Sequence, residues 1–231
     1  MERTFFFIQD GDDRLLELED KFSPLGLLLN RLIDEQYKKK HLKLINFELN
    51  TEKTYKLHPK SERFRIHRYG SVLSYCDVFE LQAFLLLDDP TQREFLWRRA
   101  HEMLLESCKK FSDPELQVAS NYAYERGLAI DLNPDYVLVG ADIVVYNMPV
   151  RADLWVHFFP DKLLMESRLV LQKNNINVYE QQIHENEIGI GFFLEMYKKI
   201  EVDSKNRIVI KGHRDGDLPV KISIDQALLV N

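Results

Sequence analysis

Cysteine is scarce in this sequence, which contains only Cys76 and Cys108 among its 231 residues. The two are not part of a spaced framework and stand among apolar neighbours, so we interpret them as reduced core thiols. The chain also lacks an apolar run of the ~18 residues needed to cross a bilayer, and the apolar stretch near its beginning is shorter than that of a secretion signal. We therefore expect a cytoplasmic protein that does not span a membrane.

Basic charge is in deficit. The sequence has 37 Asp and Glu residues against 31 Lys and Arg residues, which gives a formal net charge of -6. Such a surface repels phosphate backbones on average, so nucleic acid is excluded from the expected partners. A basic protein partner is compatible with it.

Local motifs for cofactors, metals and covalent catalysis are missing as well. No glycine-rich phosphate loop and no G-x-G-x-x-G follows a predicted strand, so no nucleotide cofactor is predicted. The seven histidines include no pair at metal-ligand spacing, and there is no C-x-x-C or H-E-x-x-H. Neither cysteine stands in a nucleophile motif. We predict no cofactor, no metal site and no catalytic residue from local sequence.

What the sequence does contain predicts an α+β fold. Hydrophobic residues make up 45% of the chain, which suffices for a sizeable core, and no repeat or linker divides it, so we predict one domain over 1–231. We expect a helical middle over 72–126 between strand-rich flanks, with helix starts at Asp89-Pro90 and Asp113-Pro114. Short connections in the region 128–231 favour a mainly antiparallel C-terminal sheet.

Several segments receive specific predictions from hydrophobic periodicity. Strands are predicted at Thr4–Gln9, Arg14–Leu18 and Lys53–Leu57, and a helix is predicted to begin at Ser23-Pro24. The run Val72–Leu87 spreads its apolar residues over one wide helical face, which predicts a helix at the start of the helical middle.

Residues suited to a protein interface are plentiful. The chain has ten tyrosines and two tryptophans, and both types are enriched at interfaces. An acidic turn follows the first strand, and two predicted helices carry aromatic residues beside charged ones. The predicted partner-binding residues are Asp10, Asp12, Asp13, Trp97, Arg98, Tyr122 and Tyr124. For Trp97 the alternative is packing against a neighbouring element of the fold.

In general composition the chain is similar to bacterial immunity proteins, which neutralise toxin domains by direct binding. This similarity implies a non-enzymatic module that binds a basic toxin domain by electrostatic and shape complementarity. Two alternatives stay open. One is a hydrolase or metal-dependent enzyme whose site is assembled only in three dimensions, with His67, His157, Asp135 and Glu166 as candidates. The other is a structural or adaptor protein that acts as a homodimer.

Overall fold

A computed structural model describes residues 3–39, 41–188, 196–212 and 218–229. It contains helices and strands in mixed and antiparallel sheets, which confirms the predicted α+β class. Contacts between Cα atoms group the chain into two compact units, Met1–Pro134 (unit 1) and Asp135–Asn231 (unit 2). The prediction of one domain over 1–231 stays a prediction.

The sheet of unit 1 is built around three parallel strands. These are β1 (Arg3–Asp10), β3 (Leu44–Asn50) and β5 (Val72–Val78). A short β2 (Asp13–Arg14) pairs antiparallel with β1, and β4 (Ile66–Tyr69) pairs antiparallel with β5. The strand order is β2-β1-β3-β5-β4. The parallel pairs are β1 with β3 and β3 with β5, so residues from distant parts of the chain become neighbours.

Helices connect and cover these strands: α1 (Leu16–Gln36), α2 (Glu52–Leu57), α3 (Leu81–Leu85), α4 (Asp89–Phe111) and α5 (Pro114–Ala129). The starts of α4 and α5 follow from local sequence. The carboxylates of the residues before these two helices accept a backbone N–H of the first turn, and a proline follows each at the beginning of the helix. Both helix starts are therefore confirmed.

The core of unit 1 lies on one face of the sheet. In β1 and β3 every second side chain is buried, including Phe6, Ile8, Phe47 and Leu49, and these residues pack in one cluster with apolar residues of α1, α4 and α5. Gly26 of α1 allows a close approach to β1, because a Cβ at this position would lie 2.4 Å from the carbonyl oxygen of Thr4. The other face of the sheet carries the alternate, partly buried side chains.

Three predictions in unit 1 were wrong. Val72–Val78 is strand β5 rather than the start of a helix, so the helical middle begins at Leu81. Five consecutive residues of this interior strand are buried, and that pattern does not show the alternation expected of a half-exposed strand. Glu52–Leu57 is helix α2 rather than a strand, since the Thr51 hydroxyl accepts the N–H of Thr54 as an N-cap.

The third error concerns the segment before Ser23. Helix α1 begins at Leu16, which leaves only Asp13–Arg14 as a strand and places Pro24 inside the helix. The buried stripe of α1 extends back to Glu19 and Phe22, and this extension explains the earlier start.

Unit 2 is made of antiparallel sheets, which confirms the predicted C-terminal arrangement. One sheet is a meander in the order β6-β7-β8-β9, and the other has the order β10-β11-β12. The strands are β6 (Tyr136–Val145), β7 (Met148–Phe159), β8 (Leu164–Lys173), β9 (Ile176–Glu187), β10 (Tyr197–Val202), β11 (Ile208–Gly212) and β12 (Val220–Ile222). Two of the hairpins turn through residue pairs with positive φ, Tyr146-Asn147 and Asn174-Asn175, as expected for tight two-residue loops.

Within the described ranges, none of the helices has the length and apolar character required to span a membrane.

Candidate functional site

The face of the unit 1 sheet opposite the core carries polar side chains in two rows that run across the strands. In the first row Phe7, Glu48 and Cys76 are paired residues of β1, β3 and β5, and the Cys76 N–H donates to the carbonyl oxygen of Arg65 at 2.8 Å. Side chains two residues apart on a strand point to the same side, so the neighbouring row lies beside the first. It consists of Phe5, Asn46, Ser74 and His67.

A cavity of about 490 Å³ opens on this face, and we call it the sheet-face cavity. Its lining includes Phe7, Arg14, Glu48, Asn50, Tyr55, His58, Ser61, Glu62, Arg65, His67 and Cys76. The volume lies in the ~300–1,000 Å³ range typical of small-molecule sites. The strands supply one wall, and α2 with the segment that follows it supplies another.

Cys76 and Glu48 interact directly at this cavity. The Cys76 thiol donates to Glu48 Oε2 at 3.0 Å, and the cysteine is only 9% exposed. Burial raises the pKa of Cys76 to about 12, and the hydrogen bond to Glu48 is the second cause of this increase. Because a nucleophilic cysteine must be a thiolate, Cys76 at neutral pH acts as a hydrogen-bond donor rather than as a nucleophile.

His67 contributes a polar atom that is left without a partner. Its ring Nδ1 is buried and has no hydrogen-bond partner among the residues described. Buried polar atoms are nearly always hydrogen-bonded in folded proteins, so an exception calls for a functional or structural reason. His67 lines the same cavity as Glu48 and Cys76.

An ion pair lies at the end of the cavity formed by β1 and β2. Arg14 donates to both oxygens of Glu19 at 2.6 to 2.9 Å, and Glu19 Oε1 also accepts the backbone N–H of Ile8. The guanidinium of Arg14 lies 4.7 Å from the ring centroid of Phe7. Two charges of opposite sign and an aromatic ring therefore hold each other in place at this end.

Comparison with protein-family models, with curated proteins and with solved structures gives no match.

A metal site is not supported by the described residues. Within the four described ranges, no group of three or more His, Cys, Asp and Glu side chains is placed to hold a metal ion.

The predicted acidic turn lies beside the cavity. Asp10 accepts the hydroxyl of Thr51 at 2.7 Å and the ammonium of Lys53 at 3.1 Å, and both hydrogen bonds lower its pKa. Asp12 lies 2.9 Å from Nε2 of His58, a residue that lines the cavity. Asp12 and Asp13 are exposed, whereas Asp10 is partly buried. The turn is thus accessible, but two of its three carboxylates have partners within the fold.

The aromatic residues predicted for partner binding are mostly engaged within unit 1. Trp97 is 1% exposed, with its indole N–H donated to the carbonyl oxygen of Tyr124 at 3.2 Å, so it packs in the core. The Tyr124 ring stacks on His101 at a centroid distance of 4.4 Å. Tyr122 is partly buried, and Arg98 is exposed. The alternative of internal packing for Trp97 is therefore the arrangement observed.

Three of the four candidate enzyme residues meet on one sheet face of unit 2. His157 Nδ1 lies 2.8 Å from Asp135 Oδ2, and Glu166 is paired with His157 across β7 and β8. The Glu166 carboxylate is bound by Arg168 at 2.8 to 2.9 Å. His67, the fourth candidate, lines the sheet-face cavity of unit 1.

Sequence reasoning missed the roles of Glu48, Cys76 and Arg65. The available signal was the alternation of polar residues Asn46, Glu48 and Asn50 along a strand otherwise made of apolar residues. Such alternation indicates a strand with one polar face. It does not show which strands lie beside it.

Proposed function

We propose that this chain is a binding protein that takes a small polar ligand into the sheet-face cavity. The observation that carries the proposal is the convergence of charged and polar side chains on one concave site. The half-buried Glu48, the exposed side chain of Arg65 and His67 line the same volume. A polar ligand can hydrogen-bond to these groups within one concave site.

Binding is a better match to this site than covalent chemistry. Its one thiol, Cys76, is held protonated and donates to Glu48. Because the Cys76 thiol is occupied as a hydrogen-bond donor to Glu48, the cavity interacts with a ligand through hydrogen bonds and charge.

Toxin neutralisation in the cytoplasm, the hypothesis suggested by composition, stays a proposal of lower rank. The exposed Asp12 and Asp13 support it, because they present acidic charge to a basic partner. The internal partners of Asp10 and the burial of Trp97 reduce the surface available for that role.

The proposal is tested by asking which compounds of a cell extract the purified chain retains. We expect specific metabolites to co-elute with the wild-type chain and to raise its melting temperature. The substitution Ser61→Trp fills space at an exposed position of the cavity lining, and we expect it to abolish this retention. A matched exposed substitution outside the cavity, Glu185→Gln, should change nothing.

Retention that is equal in the wild-type chain and in Ser61→Trp would place the ligand elsewhere and contradict the proposal. Retention of no compound at all would contradict it as well.

A further inference from the structure

Charge is distributed unevenly across the sheet-face cavity. Arg14 is matched by Glu19, so this end contributes little net charge. Among the other charged residues of the lining, Glu48 on β3 and Arg65 just before β4 lie in one row across the strands. One strand, β5, separates them, so their backbones stand roughly 10 Å apart at ~4.8 Å per strand.

Glu48 has more acceptor capacity than the protein uses. Among the described residues its carboxylate accepts one hydrogen bond, from the thiol of Cys76, and a thiol is a weak donor. A carboxylate offers about four lone-pair sites. An ammonium group carries three donors and a positive charge, so it complements the unused sites better than a neutral group does.

The opposite side of the cavity has donors to spare. The ion pair of Arg65 with Glu62 is long, at 3.8 Å, and both side chains are more than half exposed, at 52% and 73%. Such a pair is weak and easily exchanged for a better partner. His67 follows two residues later, on the same side of the chain, and lines the same cavity. A guanidinium presents donors in a planar fork that matches a carboxylate, so Arg65 is the group on this side that suits one.

Resting on the proposed function, we infer that the ligand of the sheet-face cavity is a zwitterion whose ammonium group binds Glu48 and whose carboxylate binds Arg65. The class is that of amino acids, short peptides and related amino carboxylates. The carbon skeleton between the two charged groups crosses β5 above Cys76. The aromatic rings of Phe7 and Tyr55 supply apolar contact at the cavity wall.

The inference is tested by calorimetric titration of the full chain with matched probes. The zwitterionic probes are leucine, 4-aminobutanoate, 6-aminohexanoate and the dipeptide leucyl-leucine, which differ in the separation of their charges. For each, the methyl ester removes the negative charge and the N-acetyl derivative removes the positive charge. We expect at least one zwitterion to bind, and each of its singly charged derivatives to bind about tenfold or more weakly.

Two substitutions assign the two ends of the ligand. Glu48→Gln should weaken the zwitterion about tenfold and leave the N-acetyl derivative unchanged, because that derivative has no ammonium. Arg65→Gln should weaken the zwitterion to a similar extent and leave the methyl ester unchanged. Glu185→Gln serves as the matched control, and circular dichroism checks that each variant is folded.

The outcomes separate this inference from the proposed function. A compound from the cell extract that binds in a Ser61-dependent manner but carries no charge, or only one, overturns the inference and leaves the proposed function standing. Zwitterion binding that is insensitive to both Glu48→Gln and Arg65→Gln also overturns it. If no compound binds the wild-type chain in a manner that Ser61→Trp abolishes, the proposed function itself is refuted.

Discussion

The close approach of helix α1 to strand β1 makes Gly26→Ala a decisive test of the packing in unit 1. The new Cβ would lie 2.4 Å from the carbonyl oxygen of Thr4, whereas ordinary contacts begin at 3.4 Å, so the helix must retreat by about 1 Å. The obstructing atom belongs to the backbone of a paired strand and cannot rotate away. The hydrogen bond from the Thr4 hydroxyl to Asn30, one turn along α1, would be stretched by the same movement.

Two effects of opposite sign determine how much Gly26→Ala changes the free energy of unfolding. Overpacking costs ~1–3 kcal/mol, and a rigid backbone obstacle places this case near the upper end. Alanine in place of glycine inside a helix returns ~1 kcal/mol. The net expectation is a loss of about 2 kcal/mol in the free energy of unfolding, or roughly thirtyfold in the equilibrium constant.

Urea denaturation followed by fluorescence measures this loss. Replacing Trp155 by Phe leaves Trp97 as the sole tryptophan, and Trp97 lies in the core of unit 1. We expect the urea midpoint to fall with an unchanged m-value. Gln117→Ala, at an exposed position of helix α5, should change the free energy of unfolding by less than ~0.5 kcal/mol. A Gly26→Ala variant as stable as its parent, or more stable, would refute the close approach as described.

Two further predictions concern side-chain contacts. Glu48→Gln should lower the pKa of Cys76 from about 12, because the carboxylate that favours the protonated thiol is removed while burial remains. The pH profile of alkylation at this cysteine, measured by mass spectrometry, should then shift to lower pH, and an unshifted profile would exclude the contact. Gly127→Ala places a Cβ 2.3 Å from the Trp97 ring and should lower the free energy of unfolding by ~1–3 kcal/mol. In a Trp97→Phe background this loss, measured by urea denaturation, should fall by more than half, and equal losses in both backgrounds would refute the contact.

Helices with strong local signals were predictable from the sequence. The starts of α4 and α5 were predicted from Asp89-Pro90 and Asp113-Pro114, and the structure places the caps at Asp88, one residue before the first pair, and at Asp113. Such signals act within one turn of helix, so no knowledge of the rest of the fold is needed.

Strand β5 and helix α2 were not predictable in the same way. Five consecutive residues of Val72–Val78 are buried, and continuous burial erases the period of two that marks a half-exposed strand. Lys53–Leu57 is short, and the cap at Thr51 decides its conformation. In both cases the conformation depends on a residue or element outside the segment whose hydrophobic pattern gave the prediction.

The candidate site depends on tertiary pairing to a greater extent. Glu48 and Cys76 are 28 residues apart in sequence, and they become neighbours because β3 and β5 pair in parallel with one register. A shift of that register by one residue would turn one of the two side chains into the core. Composition and motifs contain no information about such a register.

The parallel sheet of unit 1 and the β6-β7-β8-β9 meander of unit 2 differ in the sequence separation of their paired strands, and this difference affects folding kinetics. Phe6 pairs with Phe47 in the parallel sheet of unit 1, whereas Val145 pairs with Met148 at the first hairpin of the meander in unit 2. Closing a long loop costs conformational entropy before any contact is gained, and sheets rich in distant pairs form slowly. The meander is therefore expected to assemble by successive hairpin closure, while the parallel sheet, and with it the row from Phe7 to Arg65, waits for helix α1 to bring β1 and β3 together.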